Sequence, residues 1–152
     1  MKSFNCILLV DDDEINNIIA YSLISRRDVA EKIQTANNGI GALNFLRRYY
    51  MEYRSLPDLI ILDVEMPVMN GLEFEKAFRE TFFPEKYHPS IIFLTNYSPE
   101  SRKDLFKEIE DFLIIEKPLD EKKLDNIIDY HFNIALKNRQ KRLIKEIYRN
   151  LE

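Results

Sequence analysis

Residues 59–71 read LIILDVEMPVMNG, an apolar run that ends in a carboxylate and continues into a loop. The segment Leu59–Leu62 has no polar position, which is typical of a strand buried on both faces of a parallel sheet. Asp63 follows it directly, at the carboxyl end of the strand, where open α/β sheets hold their ligands. Residues 6–10 are similarly apolar and continue into Asp11–Asp13. The two strand ends therefore bring several carboxylates to one edge of a sheet.

These clustered carboxylates need a counter-charge, because close carboxylates repel and disfavour each other's ionised form. A divalent cation relieves the repulsion, and an open site built from hard oxygen ligands suits Mg²⁺. An alternative for residues 11–13 is capping of a helix that begins near Glu14, since carboxylates accept hydrogen bonds from the first amides of a helix. We assign the capping role to Asp13 and the metal role to Asp11 and Asp12.

The composition is that of a single soluble domain. The chain has 152 residues, 45% of them hydrophobic, which is enough for one buried core and too few for two ordinary domains. A charged fraction of 32% and a net charge of −4 do not favour nucleic acid as a partner. The sequence has neither a membrane-spanning apolar stretch nor a signal-peptide pattern, so we expect a cytoplasmic protein without membrane contact. The single cysteine, Cys6, lies in an apolar strand and excludes an internal disulfide.

Apolar runs alternate with amphipathic ones, which predicts repeated βα units with right-handed crossovers in one doubly wound sheet. Strands are predicted at residues 5–10, 32–36, 58–62, 90–94 and 111–115. Helical spacing assigns core-facing positions to two intervening helices: Ile15, Ile18, Ile19 and Leu23 on the first, and Ala42, Phe45, Leu46, Tyr49 and Tyr53 on the second. A third helix is predicted over 71–81, a fourth after a cap at Ser98–Pro99, and a fifth from near Asp120.

The last twenty residues differ from the rest in charge. Residues 133–152 hold six basic and two acidic side chains, a net charge of +4, which leaves −8 on residues 1–132. No linker composition separates this tail from the preceding helix, so we predict a domain over 1–136 and a basic helical extension over 137–152. The extension has an apolar stripe of Leu143, Ile147 and Leu151 with Ile144 and Tyr148 alongside. We expect this stripe to pack on its own domain or on a second copy.

Two further polar residues follow predicted strands. Thr95 comes after residues 91–94, and Lys117 comes after residues 112–115. A carboxylate can attack phosphorus while a metal ion neutralises charge and a hydroxyl and an ammonium hold the remaining oxygens. Together with the aspartates, these residues indicate a phosphoryl-transfer site.

With these motifs, the chain resembles the receiver domain of bacterial two-component response regulators. The resemblance covers residues 2–136, and its elements fall in the family's order. They are Val10-Asp11-Asp12, the run Asp63-x-x-Met66-Pro67-x-Met69-Asn70-Gly71, Thr95, and Lys117-Pro118.

The resemblance implies a flavodoxin-like (βα)5 fold, with a doubly wound parallel sheet in the strand order 2-1-3-4-5 and an extended C-terminal helix. It implies that Asp63 is the phosphoacceptor and that Thr95 and Lys117 contact the phosphoryl group. Mg²⁺ would be held by Asp11, Asp12 and Asp63 with the backbone carbonyl of Glu65.

The family also implies partners. The donor would be a phosphohistidine of a sensor histidine kinase or a histidine phosphotransfer protein. The domain would act as a stand-alone response regulator, not as a metabolic enzyme, by contact with a downstream protein that the sequence does not identify.

The chain departs from the family pattern at two places. The family usually has an aromatic residue three positions before the lysine, and this chain has Ile114 there. The nearest upstream aromatic is Phe112. It is therefore in doubt whether rotation of an aromatic ring acts as the switch in this chain. The residue after Thr95, usually small, is Asn96, followed by Tyr97. We hypothesise that these two side chains restrict water and slow hydrolysis of the phosphorylated aspartate, so that their replacement by alanine would speed it.

Two other functions remain open. A Mg²⁺-dependent phosphohydrolase also uses an aspartyl nucleophile at a strand end, but such enzymes place a second aspartate two residues later as general acid, and here that residue is Glu65. Turnover of a phosphomonoester would indicate this class, whereas labelling that stops at one phosphate per chain would indicate a receiver. A receiver-like module that only binds partners is disfavoured, because the acidic and phosphate-contacting residues are all present.

Overall fold

A computed structural model describes residues 3–82, 89–98 and 100–151. In chain order the elements are β1 (Phe4–Val10), α1 (Glu14–Arg27), β2 (Ala30–Ala36), α2 (Gly39–Tyr53), β3 (Leu59–Asp63), α3 (Gly71–Phe82), β4 (Ser90–Thr95), α4 (Lys103–Glu108), β5 (Leu113–Glu116) and α5 (Glu121–Leu151). The strands are all parallel and lie in the order β2-β1-β3-β4-β5. The predicted flavodoxin-like fold and strand order are confirmed.

Helices cover both faces of the sheet. Successive strand residues point to opposite sides, so each strand contributes apolar side chains to both faces. One apolar cluster joins strand residues to α1 and α5, and includes Ile7, Leu9, Ile61, Leu23, Ile24, Leu124 and Ile127. The other joins the alternate strand residues to α2, α3 and α4, and includes Leu8, Ile60, Leu62, Leu46, Phe74, Phe78 and Leu105. The sheet is therefore doubly wound, and its carboxyl edge is left uncovered for a site.

The prediction for the buried face of α1 was wrong for three of its four residues. Ile15, Ile18 and Ile19 are 65%, 57% and 47% exposed, whereas Leu23 is buried as predicted, together with Asn17, Ala20 and Ile24. The Asn17 side-chain amide donates to the carbonyl oxygens of Asp11 at 3.0 Å and Ala36 at 3.2 Å. These two hydrogen bonds turn the asparagine inward, which leaves the isoleucines at the surface.

The start of α4 also differs from the prediction. The carbonyl of Ser98 accepts hydrogen bonds from the amides of Ser101 and Arg102, so this segment forms a turn, and the helix begins at Lys103. Pro99, the expected first-turn proline, lies outside the described residues. Strand β5 likewise begins at Leu113 and not at residue 111, because the amide of Phe112 donates to the Ile109 carbonyl in a turn.

Helix α5 continues from the domain into the basic tail over 31 residues without interruption, as the missing linker predicted. Its apolar stripe does not pack on the domain, since Leu143, Ile147 and Leu151 are 50%, 58% and 77% exposed. Packing on a second copy stays a prediction. Among the described residues, none of the helices combines the length and the apolar character needed to cross a bilayer.

Candidate functional site

Four strand ends meet at the carboxyl edge of the sheet. Asp11 follows β1, Asp63 is the last residue of β3, Thr95 is the last residue of β4, and Lys117 follows β5. One carboxylate oxygen each from Asp11, Asp12 and Asp63 lies within 4.8 Å of the others. The structure therefore brings the predicted carboxylates together, at the edge of the sheet where Thr95 and Lys117 also lie.

Lys117 joins the two buried aspartates. Its Nζ lies 2.7 Å from Oδ2 of Asp11 and 3.2 Å from Oδ1 of Asp63, and all three side chains are at most 8% exposed. Asp12 is exposed at the rim. The cluster thus has one ammonium, paired with two of its three carboxylates, and as a whole it keeps a negative charge that a cation can neutralise.

Burial dominates the electrostatics of Asp63. Loss of water raises the pKa of Asp63 to about 7, and the Asp11 carboxylate acts in the same direction, while the Lys117 ammonium acts against both. Burial also disfavours the charged form of Lys117, but its hydrogen bond to Asp11 and the charge of Asp63 outweigh this effect and raise the pKa of Lys117. The lysine is therefore the fixed positive charge of the site.

The turn after β1 holds the first aspartates in place. Oδ1 of Asp11 accepts a hydrogen bond from the amide of Asp13 at 2.9 Å, and Oδ1 of Asp13 accepts one from the amide of Ile15 at 2.9 Å. Asp13 is the N-cap of α1, as predicted. Asn17, which the sequence analysis did not single out, anchors this turn to β2. The sequence signal that could have identified Asn17 is its position as a polar residue among the isoleucines of α1.

The loop after β3 returns the chain close to Asp63. The amide of Glu65 donates to Oδ1 of Asp63 at 3.3 Å, and the amide of Gly71 donates to the carbonyl of Val64 at 2.9 Å. Val68, between them, has a positive φ of 69°. A β-branched residue rarely adopts this conformation, so the loop is held by its surroundings and not by local preference.

Thr95 and Lys117 are linked through the backbone. The Lys117 amide donates to the Thr95 carbonyl at 2.8 Å, and the Lys117–Pro118 peptide bond is cis. The Thr95 hydroxyl is buried and accepts a hydrogen bond from the amide of Tyr97 at 3.0 Å. The hydroxyl oxygen is the acceptor in this contact, which holds the Thr95 side chain against the segment after β4.

Ile114 occupies the position where the family pattern has an aromatic residue. Its side chain is half-buried and packs on the cluster under α2, α3 and α4. The nearest upstream aromatic, Phe112, packs edge-on against the buried Phe93 with ring centroids 5.0 Å apart. Phe112 therefore belongs to the core here.

The site opens through a cavity of about 270 Å³. Residues of the first and third strand ends line it together with Glu65, Asn96, Tyr97 and Asn16. Ile19 of α1 lines a smaller depression that also contains Asp11 and Lys117. The acidic cluster is thus reachable from solvent, and Ile19 lies in the neighbouring depression.

The chain is similar to known proteins over most of its length. The model of the response regulator receiver domain family matches residues 7–129. Hybrid signal transduction histidine kinase I of Dictyostelium discoideum is 30% identical over 128 residues, covering 81% of this chain and 7% of that protein. A protein-glutamate methylesterase/protein-glutamine glutaminase of Desulfotalea psychrophila is 31% identical over 143 residues, covering 91% of this chain and 34% of the relative. The chain thus spans a small part of these two curated relatives.

A solved structure extends the comparison to the fold. The two-component response regulator of Cytophaga hutchinsonii superposes with a TM-score of 0.74 at 26% identity, covering 87% of this chain and 99% of that one. The family match includes β1, β3, β4 and β5, and with them the strand ends that carry the acidic cluster and the lysine. This chain therefore belongs to the response regulator receiver domain family of two-component signalling.

Proposed function

We propose that this domain accepts a phosphoryl group on Asp63 from a phosphohistidine of a sensor histidine kinase or histidine phosphotransfer protein. The phosphorylated domain then signals through contacts with a downstream protein. The observation that carries the proposal is the buried Asp63 carboxylate, which lies 3.2 Å from the Lys117 ammonium and beside the carboxylates of Asp11 and Asp12.

The donor set fits Mg²⁺. Three carboxylate oxygens lie within 4.8 Å of one another, they are hard ligands, and the single ammonium leaves part of their charge uncompensated. Asp11, Asp12 and Asp63 would hold the ion, with the backbone carbonyl of Glu65 as a further ligand. When bound, Mg²⁺ supplies positive charge that offsets the repulsion between the attacking carboxylate and the phosphoryl oxygens.

The side chains of the domain then perform the transfer. An oxygen of Asp63 attacks phosphorus, the bond from phosphorus to the histidine nitrogen breaks, and its electron pair returns to the imidazole. Lys117 and the Thr95 hydroxyl hold phosphoryl oxygens in the transition state. Lys117 also favours the ionised, nucleophilic form of Asp63, against the effect of burial.

The surface beside the site supports a protein as donor. Ile15, Ile18 and Ile19 are exposed on α1, and Ile19 lines a small depression that also contains Asp11 and Lys117. Exposed apolar patches beside a polar site are typical of protein contacts. We propose that the donor protein docks on these isoleucines while it presents its phosphohistidine to Asp63.

The phosphohydrolase alternative loses support from the position of Glu65. Its Oε1 lies 3.0 Å from Nη1 of Arg102, so the carboxylate is engaged in an ion pair. A general acid would have to leave this ion pair and carry a proton to a leaving group. We therefore retain the receiver function.

The test is the intact mass of the protein after incubation with acetyl phosphate and MgCl₂. We expect one phosphoryl group per chain on the wild-type protein and none on Asp63→Asn. Asp13→Asn is the matched control, because it removes a neighbouring carboxylate that caps α1 and should still be labelled. Catalytic release of phosphate from a phosphomonoester, without stable labelling, would assign the protein to the phosphohydrolases. Absence of both labelling and beryllofluoride binding would leave only a partner-binding module.

A further inference from the structure

We propose that Arg102 is a positioning residue that controls how long a phosphoryl group stays on Asp63. It does so by holding Glu65 and Tyr97 at the mouth of the acidic site. The inference rests on the proposed function, since it concerns the lifetime of the phosphorylated aspartate.

Arg102 contacts two of the residues that line the cavity over Asp63. Its Nη1 lies 3.0 Å from Oε1 of Glu65, and its guanidinium carbon lies 5.1 Å from the centre of the Tyr97 ring. Both Glu65 and Tyr97 line the cavity, whereas Arg102 does not. The arginine therefore supports these two residues from behind and ties the loop after β3 to the segment after β4.

The guanidinium is itself held in place. Its Nε lies 3.3 Å from Oδ1 of Asp104, in the first turn of α4, and its side chain is only 34% exposed. Hydrogen bonds to Asp104 and Glu65 raise the pKa of Arg102 further above its already high value, so its charge is permanent. A planar guanidinium can bind a carboxylate at its edge and an aromatic ring on its face together, which an ammonium cannot do.

The position of Tyr97 couples this cluster to the chemistry. Its amide donates to the Thr95 hydroxyl at 3.0 Å, so movement of Tyr97 also moves a proposed ligand of the phosphoryl group. Tyr97 is half-buried against the core, and Arg102 covers its ring. Loss of the arginine would free both Tyr97 and Glu65 and widen the cavity.

Loss of the phosphoryl group requires water to enter through this cavity. The water oxygen bonds to phosphorus, the bond from phosphorus to the Asp63 oxygen breaks, and its electron pair restores the carboxylate. The protons of the water remain on inorganic phosphate or pass to solvent. Side chains that restrict entry of the water slow this step.

The experiment compares single-exponential decay of the phosphorylated protein after acetyl phosphate is removed. We expect Arg102→Ala to lose phosphate about two to five times faster than wild type, the factor corresponding to loss of a partly exposed ion pair. Arg102→Lys should recover part of the difference, because it retains the pairing with Glu65 and loses the flat stacking surface. Lys103→Ala is the matched control: it removes one exposed positive charge from the same turn and should decay as wild type does.

A double-mutant cycle separates support of the cavity from general loosening of the fold. Glu65→Gln and Arg102→Ala should accelerate decay by a combined factor smaller than the product of their separate factors, because both break one contact. The extent of labelling and the melting temperature of Arg102→Ala should change little. Equal decay of wild type and Arg102→Ala, or fully multiplicative effects, would overturn the inference. If the wild-type protein takes up no phosphate at all, the proposed function has failed and not this inference alone.

Discussion

Gly71 lies where a larger side chain has no room. A Cβ atom on it would be 2.6 Å from the carbonyl oxygen of Asp63 and 3.0 Å from Cα of Val64, both backbone atoms that cannot rotate away. Gly71→Ala would therefore push the β3 end and the start of α3 apart. We expect the free energy of unfolding, measured in urea, to fall by about 1–3 kcal/mol.

The control for this variant is Gly41→Ala. There the added Cβ would meet the side-chain oxygen of Asn38 at 3.3 Å, and an alanine also favours the helix. We expect a change below about 1 kcal/mol. A Gly71→Ala protein as stable as wild type would show that the loop can relax around the extra methyl group.

His131 makes the stability of the folded state depend on pH. Burial lowers the pKa of His131, with the charge of Asp58 acting weakly against this, and its Nδ1 lies 2.8 Å from the Ser90 hydroxyl. The folded state thus binds this proton less readily than the unfolded chain, whose histidine pKa is about 6.5. The stabilisation that neutral His131 gives the folded state is fully present above about pH 6.5 and is lost as the pH falls below that value.

We expect the free energy of unfolding of wild type to fall more steeply between pH 7 and pH 5 than that of His131→Gln. Glutamine still offers the Ser90 hydroxyl a hydrogen-bond partner but does not titrate in this range. Asp58 and the other carboxylates are present in both proteins, so their contribution to the pH dependence of stability cancels in the comparison. Parallel pH profiles for the two proteins would contradict the prediction.

At the scale of elements, the end of α5 lacks the packing that normally stabilises a helix. Residues 135–151 are exposed throughout, and they span about 25 Å at about 1.5 Å per residue. Helices of this length are marginal in water when no tertiary contact covers an apolar face. The stripe defined by Leu143, Ile147 and Leu151 is the face that needs such a contact.

A synthetic peptide of residues 133–151 tests what covers the stripe. By circular dichroism we expect less than about half helix at low micromolar concentration, and more helix as the concentration rises, because a second copy covers the stripe. A peptide with glutamine at positions 143, 147 and 151 should show no such increase. Low helicity of the natural peptide at all concentrations would argue against a second copy and for another partner.

At the scale of the whole molecule, the acidic edge of the sheet links metal binding to folding. Asp63 joins Asp11 and Asp12 only in the folded state, because Asp63 ends β3 whereas Asp11 and Asp12 follow β1. A ligand that binds only the folded state stabilises it in proportion to the logarithm of its concentration. At a hundredfold excess over its dissociation constant, Mg²⁺ would contribute about 2.7 kcal/mol.

We expect MgCl₂ to raise the melting temperature of wild type and Asp13→Asn at constant ionic strength, and to raise that of Asp12→Asn much less. Without Mg²⁺, Asp12→Asn should melt at a higher temperature than wild type, because one repelling carboxylate is gone. An equal response of all three proteins would place the metal elsewhere or exclude it. CaCl₂ serves to separate a general cation effect from Mg²⁺ selectivity.

The strand pattern and most of the candidate site follow from local sequence. Residues 6–10 and 59–62 are apolar at every position, which predicts strands covered on both faces, and parallel topology then brings their carboxyl ends together. The strand order and the family came from the order of the motifs, whereas the ion pairs of Lys117 with Asp11 and Asp63 came from the structure. The structure and the family match confirm the predicted fold.

The remaining features depend on contacts between distant parts of the chain. The isoleucine spacing of α1 is helical, but the hydrogen bond from Asn17 to Ala36, 19 positions away, selects the buried face. Arg102 reaches Glu65 across 37 positions through a turn that the sequence pattern did not predict. Local periodicity carries no information about such contacts, because each depends on how separate elements pack. Residue order thus specified strands, helices and the acidic edge, whereas packing determined the exposed face of α1, the contacts of Arg102 with Glu65 and Tyr97, and the uncovered end of α5.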